Sequence, residues 1–127
     1  MEISCGIDII EIDRIKSSIE DLGDKFINRV FTDNEIEYCE SKKKQKYQHY
    51  AGRFAAKEAA FKAISKILDD KYSVCWKDFE VINDAQGRPK LNILNVNLED
   101  IESIDISISH CKTYAVANVV ILFKYYI

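Results

Sequence analysis

Asp8 stands in an otherwise apolar run, Gly6-Ile7-Asp8-Ile9-Ile10. An ionised carboxylate there loses water on several sides, and its burial is costly without a cation or donors nearby. The plainer alternative is a strand-end aspartate that caps the following helix. A second carboxylate, Glu58, lies in Arg53-Phe54-Ala55-Ala56-Lys57-Glu58-Ala59-Ala60-Phe61-Lys62. Arg53 and Lys57 are four residues apart, so they are like charges on adjacent helical turns that repel unless an anion sits between them. A phosphate is the natural candidate. The alternative is a set of snorkelling cations with an ordinary Glu58–Lys62 pair. Taken together, Asp8 and Glu58 with Arg53, Lys57 and Lys62 point to an oxygen-ligand metal site beside an anion site. Mg²⁺ takes one or two protein carboxylates and completes its shell with water and substrate phosphate oxygens. The chemistry implied is a metal-assisted reaction on a phosphorylated substrate.

His110 closes the run Ile104-Asp105-Ile106-Ser107-Ile108-Ser109. Strand ends open onto loops that carry sites. By alternation Ser107 and Ser109 face away from His110, so no Ser-His dyad is indicated. There is no G-x-S-x-G and no catalytic cysteine signature. The four glycines, Gly6, Gly23, Gly52 and Gly87, are isolated, which argues against a P-loop or a dinucleotide fingerprint. Bound phosphates must therefore be held by side-chain cations and a metal.

The elements that position these residues follow from periodicity. Ile3, Cys5, Ile7 and Ile9 alternate as a strand; Ile12, Ile15, Ile19 and Leu22 then take helical spacing, which Gly23 can end. A short helix is expected around Phe26–Phe31. Thr32-Asp33-Asn34-Glu35 is a capping box that starts a third helix. Tyr47 to about Leu68 is the longest helical stretch. On it Tyr50, Phe54, Phe61, Ile64 and Leu68 form one apolar stripe, Lys57 projects from its middle, Arg53 and Glu58 flank it, and alanines fill the turns expected to be exposed. Charges beside the stripe and alanines away from it break simple amphipathic patterning, which marks functional sites. Phe79–Asn83 and Leu91–Leu94 flank Asp84-Ala85-Gln86-Gly87-Arg88-Pro89 as a hairpin. Tyr114–Tyr125 is a near-continuous apolar strand expected at the centre of a sheet. The order predicts an α+β fold, a helical N-terminal half packed on a mostly antiparallel sheet.

The chain has 127 residues, enough for one domain spanning 1–127. Its net charge of −3 leaves no global attraction to nucleic acid. Lys42-Lys43-Lys44-Gln45-Lys46 reads as a solvated helix end, although with Tyr47 and Tyr50 it could form a basic-aromatic patch for RNA or an acidic protein. The N-terminus lacks the pattern of a signal peptide, and no apolar run has the length of a membrane span. Cys5, Cys39, Cys75 and Cys111 are widely spaced, consistent with reduced thiols in a cytoplasmic protein.

Gly6-Ile7-Asp8-Ile9-Ile10-Glu11-Ile12, Arg53-Phe54-Ala55-Ala56-Lys57-Glu58-Ala59 and Ile106-Ser107-Ile108-Ser109-His110 resemble the short bacterial branch of the 4′-phosphopantetheinyl transferase superfamily. The resemblance covers essentially the whole chain. It implies transfer of 4′-phosphopantetheine from coenzyme A to a serine of an acyl carrier protein in fatty acid biosynthesis. Asp8 and Glu58 would then be Mg²⁺ ligands, and Arg53, Lys57, Lys62 and His110 would contact the coenzyme A phosphates. Glu58, by way of a water, or else His110, would accept the serine proton. Arg14, with Lys25 and Arg29 on the next helix, would receive the acidic carrier. The resemblance also implies a homotrimer with each site shared by two subunits, and no nucleic-acid or membrane partner. A metal-dependent phosphohydrolase is the rival enzyme class.

Overall fold

The computed structural model describes residues 1–126; Ile127, the last residue of the expected domain, lies outside them. Strand β1, Glu2–Glu11, runs antiparallel to β5, Tyr114–Phe123, which also pairs with β4, Ile101–His110. The order β1-β5-β4 places β5 centrally, as its unbroken apolar run requires. A separate hairpin joins β2, Phe79–Asn83, to β3, Pro89–Ile93. Its turn is closed by the Asp84 carboxylate, which accepts from the backbone N–H groups of Gln86 and Arg88 at 2.9 Å each, and Gly87 takes the left-handed φ of 85°.

The helices are α1, Ile12–Leu22, α2, Asp24–Val30, α3, Asp33–Glu40, and α4, Lys46–Ile64, the last ending in a 3₁₀ turn at Ser65–Ile67. In α1, Ile12, Ile15 and Ile19 are buried, which leaves Arg14 in solvent. The capping box forms as expected: Thr32 Oγ1 accepts from Glu35 N, and Thr32 N donates to Glu35 Oε1 at 3.0 Å. Lys43–Gln45 is a single 3₁₀ turn of exposed residues, the solvated helix end anticipated for that basic run.

The patterning of α4 differs from the expectation. Its alanines are buried rather than exposed: Ala55, Ala56, Ala59, Ala60 and Ala63 have no exposed surface, as have Tyr50 and Ile64 of the expected stripe, while Phe54 and Phe61 of that stripe are only half-buried. The sheet lies against the alanine side, because small side chains let backbones approach closely. Gly6 completes that approach from β1; a Cβ there would stand 2.0 Å from the Ala59 carbonyl oxygen. Two positions earlier, Ser4 Oγ donates to the Ala63 carbonyl at 2.7 Å. One core therefore lies between α4 and the sheet, and another joins α1–α3 to the first half of α4.

The opposite face of the sheet carries Ile3, Ile7 and Ile9, each more than 60% exposed, together with Val120 and Tyr114. These alternate with the residues that face α4, as a pleated strand requires.

Gly6→Ala should therefore destabilise the fold by overpacking, by about 1–3 kcal/mol. A denaturant titration checks this, and wild-type stability would show that β1 and α4 can separate freely.

Candidate active site

On the inner face of β1, Asp8 is half-buried and meets Lys62 from α4: the ammonium donates to the Ile7 carbonyl at 2.9 Å and lies 3.4 Å from Asp8 Oδ1. Asp8 does not cap α1, whose N-cap is Glu11. Glu58, one turn before Lys62, faces the same place. Burial, then the nearby Asp8 charge, raises its carboxyl above the usual range, while Lys62 opposes the rise. The close approach at Gly6 thus brings Asp8, Glu58 and Lys62 into one cluster. Its donors are carboxylate oxygens; no group of three or more His, Cys, Asp or Glu side chains converges for a metal among the described residues.

Glu58 also edges a cleft of about 510 Å³, lined further by Arg29, Lys57, Phe61, Val74, Cys75, Trp76 and Phe79. Its lining combines the charged Arg29, Lys57 and Glu58 with apolar and aromatic side chains. Arg29 on α2 is exposed at this cleft, and Lys25 and Arg14 are exposed on the same helical half of the molecule.

Arg53 and His110 belong to a second cluster. His110 ends β4 and meets His49 of α4 edge to face, with ring centres 5.9 Å apart. Tyr38 also meets His49 edge to face, with ring centres 5.5 Å apart. The Arg53 guanidinium lies 4.0 Å from the Tyr38 ring centre and Lys42 Nζ lies 4.7 Å from it. Arg53 Nη2 donates to Asn83 Oδ1 at 2.5 Å, while its buried Nε has no hydrogen-bond partner among the described residues. His49 and Glu58 are nine residues apart on one helix, roughly 13 Å at 1.5 Å per residue. Within one chain the expected site therefore falls into two parts, one anionic and one cationic.

Lys57 departs from its expected role. Its ammonium makes a 2.6 Å ion pair with Glu35, and neither side chain has exposed surface. It also donates to the carbonyls of Trp76 and Phe79. Burial pulls its pKa down, and Glu35 opposes that pull. The anion expected between adjacent cations is thus, for Lys57, the protein's own carboxylate, and its three protons are occupied away from solvent. The other expected residues, Asp8, Glu58, Lys62, Arg53 and His110, keep a side chain at one of the two clusters.

Sequence reasoning missed His49 and Glu35. His49 was legible in principle, since 49, 53 and 57 fall on one helical row. Glu35 was visible only as a cap; its partner is 22 residues away, and no local spacing links them.

The two-layer α+β fold thus carries paired carboxylates and a neighbouring lysine toward one end of α4, and a guanidinium–imidazole cluster toward the other. The profile of the 4′-phosphopantetheinyl transferase superfamily matches residues 4–119. A holo-[acyl-carrier-protein] synthase from Ruminiclostridium cellulolyticum is 47% identical over 126 residues, covering 95% of this chain and 92% of the relative. Among solved structures, holo-(acyl-carrier-protein) synthase from Bacillus anthracis in complex with CoA (3′,5′-ADP) is 40% identical, with a TM-score of 0.73 over 93% of this chain and 94% of that one. The Helicobacter pylori synthase in complex with coenzyme A is 30% identical, with a TM-score of 0.80 over 93% and 99%. The chain belongs to the 4′-phosphopantetheinyl transferase superfamily, in its holo-[acyl-carrier-protein] synthase branch.

The imidazole of His49 is held neutral to about pH 4, chiefly by burial and then by Arg53, Lys42 and His110. Its folded pKa lies below the unfolded value near 6.5, so the unfolded chain binds more protons between those values. Its contribution to stability is complete above about pH 6.5 and is lost as pH falls toward 4. Denaturant midpoints across this window should fall less steeply with acidification in His49→Gln than in wild type; identical slopes would assign the titration elsewhere.

Proposed function

We propose that this chain transfers the 4′-phosphopantetheine group from coenzyme A to a serine of apo-acyl carrier protein, yielding holo-carrier protein and adenosine 3′,5′-bisphosphate. The observation that carries the reading is the convergence of Asp8, Glu58 and Lys62, with Glu58 also lining the aromatic cleft, in a chain whose relatives are holo-[acyl-carrier-protein] synthases. The reading places the enzyme in the cytoplasm and its product in fatty acid biosynthesis, as the family likeness implies.

The donor set suits Mg²⁺: two half-buried carboxylates, to which the ion would add water and phosphate oxygens. Asp8 and Glu58 would hold the ion, which when bound neutralises charge developing on the phosphoryl oxygens. The protein's own groups do the rest. Lys62 offers a point charge beside the carboxylates and would orient a phosphate there. Arg53 and His110 would bind the other phosphates of coenzyme A. The serine proton passes by way of a water toward Glu58, with His110 as the second acceptor. Arg29 at the cleft, with Lys25 and Arg14 beyond it, would meet the acidic carrier.

A homotrimer reconciles the two clusters. His110 sits far from the Glu58 end of α4 in its own chain, and the apolar outer sheet face of Ile3, Ile7 and Ile9 offers a surface for neighbouring copies. One chain's carboxylates and the next chain's His110 would then share a substrate.

Incubation with coenzyme A, Mg²⁺ and apo-carrier protein should add the mass of one phosphopantetheine to the carrier; turnover of coenzyme A without a carrier would favour a phosphohydrolase instead. Glu58→Gln should lower the rate by roughly a hundredfold or more, the scale for a group that stabilises transition-state charge. Full activity in that variant rules out its metal-binding role. Asp8→Asn and His110→Ala, each inactive alone, should regain activity when unfolded and refolded together. A mixture no better than its components contradicts the shared site.

A further inference from the structure

We propose that Glu35 is a positioning residue for the transfer reaction: through Lys57 it fixes the width of the cleft beside Glu58. The inference rests on the functional reading above only in identifying the cleft with catalysis. The Glu35 carboxylate is fully buried. It accepts from Lys57 Nζ at 2.6 Å, from Thr32 N at 3.0 Å and from Val81 N at 2.9 Å. Lys57 in turn holds the backbone carbonyls of Trp76 and Phe79. One carboxylate–ammonium pair thereby joins α3, α4, the 3₁₀ turn at Trp76–Asp78 and β2.

Three of those elements line the cleft. Glu58 and Phe61 come from α4, and Trp76 and Phe79 come from the turn and the start of β2. Lys57 is the tie between them, because its stem belongs to α4 and its amine grips the other two. Glu35 aims that amine from behind. Trp76 also stacks on Phe54 of α4, with ring centres 4.9 Å apart, so a shift of the tie moves an aromatic wall as well. A pair of this kind is a poor device for stability alone, since well-packed apolar side chains of similar volume serve as well or better. What it provides is a fixed spacing between backbone carbonyls and the helix that carries Glu58. Displacement of about 1 Å at such a site is enough to slow chemistry severely.

The test uses Glu35→Gln in the full chain. At saturating coenzyme A and carrier, kcat should fall roughly tenfold to a hundredfold. Calorimetric affinity for adenosine 3′,5′-bisphosphate should stay at the wild-type value. Trp76, the single tryptophan, should become more accessible to acrylamide quenching at a temperature where circular dichroism is native. Wild-type kcat, or a kcat loss without a change at Trp76, overturns the proposal. So does a joint loss of kcat and nucleotide affinity, which would mark a direct phosphate contact or simple unfolding. If this variant does not fold, Glu35→Met with Lys57→Met removes both charges together, and the same outcomes apply. Quenching needs no substrate, so it tests the cleft independently. Absence of carrier modification by the wild-type enzyme counts against the functional reading, not against this one.

Discussion

The arrangement of this molecule depends on the contact between β1 and α4. Gly6 lets the strand backbone reach the Ala59 carbonyl at a distance no side chain would tolerate, and the alanines of α4 make the same concession from the helix. Ser4 fastens one end of the contact, and Asp8 emerges at the other beside Lys62. Two carboxylates distant in sequence are thereby brought together, Asp8 from the first strand and Glu58 from a helix fifty residues later. Their mutual repulsion and partial burial are costs in the isolated protein. The contact area between strand and helix offsets them, since burial of apolar surface is the main favourable term in folding.

Much of this was legible in sequence because local chemistry and global packing agree. Alternation in β1 and the apolar run of β5 gave the right elements and the central place of β5. The Thr32–Glu35 spacing gave the third helix its start, and the Asp84–Pro89 punctuation gave the hairpin. The charged residues set among apolar ones at Asp8 and Glu58 stood out for a physical reason, the cost of desolvating a carboxylate.

The orientation of α4 was not legible. A helix buried on nearly every side carries no clear amphipathic signal: the expected stripe supplies Tyr50 and Ile64 to the cores, but the face against the sheet belongs to alanine. Close packing rewards small residues where backbones meet, whereas hydrophobicity scales reward bulk, so the two criteria point to different faces. Lys57 illustrates the same difficulty. Its neighbours in sequence made it one more phosphate ligand, but its environment is set by Glu35, Trp76 and Phe79, contacts that depend on how three other elements fold over the helix. Long-range ion pairs leave no periodicity to read.

His49, Arg53, Lys57, Glu58 and Lys62 are all carried by one unbroken helix. Each residue added to a helix advances it by 1.5 Å and turns it by about 100°. Insertion or deletion of one residue between Arg53 and Glu58 would leave the helix intact yet point the carboxylate away from Asp8 and the cleft. Only exchange of side chains at constant length preserves the arrangement in this segment. The turns before and after it, at Lys43–Gln45 and beyond Ile67, are where the chain can lengthen or shorten without changing the reading frame of its chemistry.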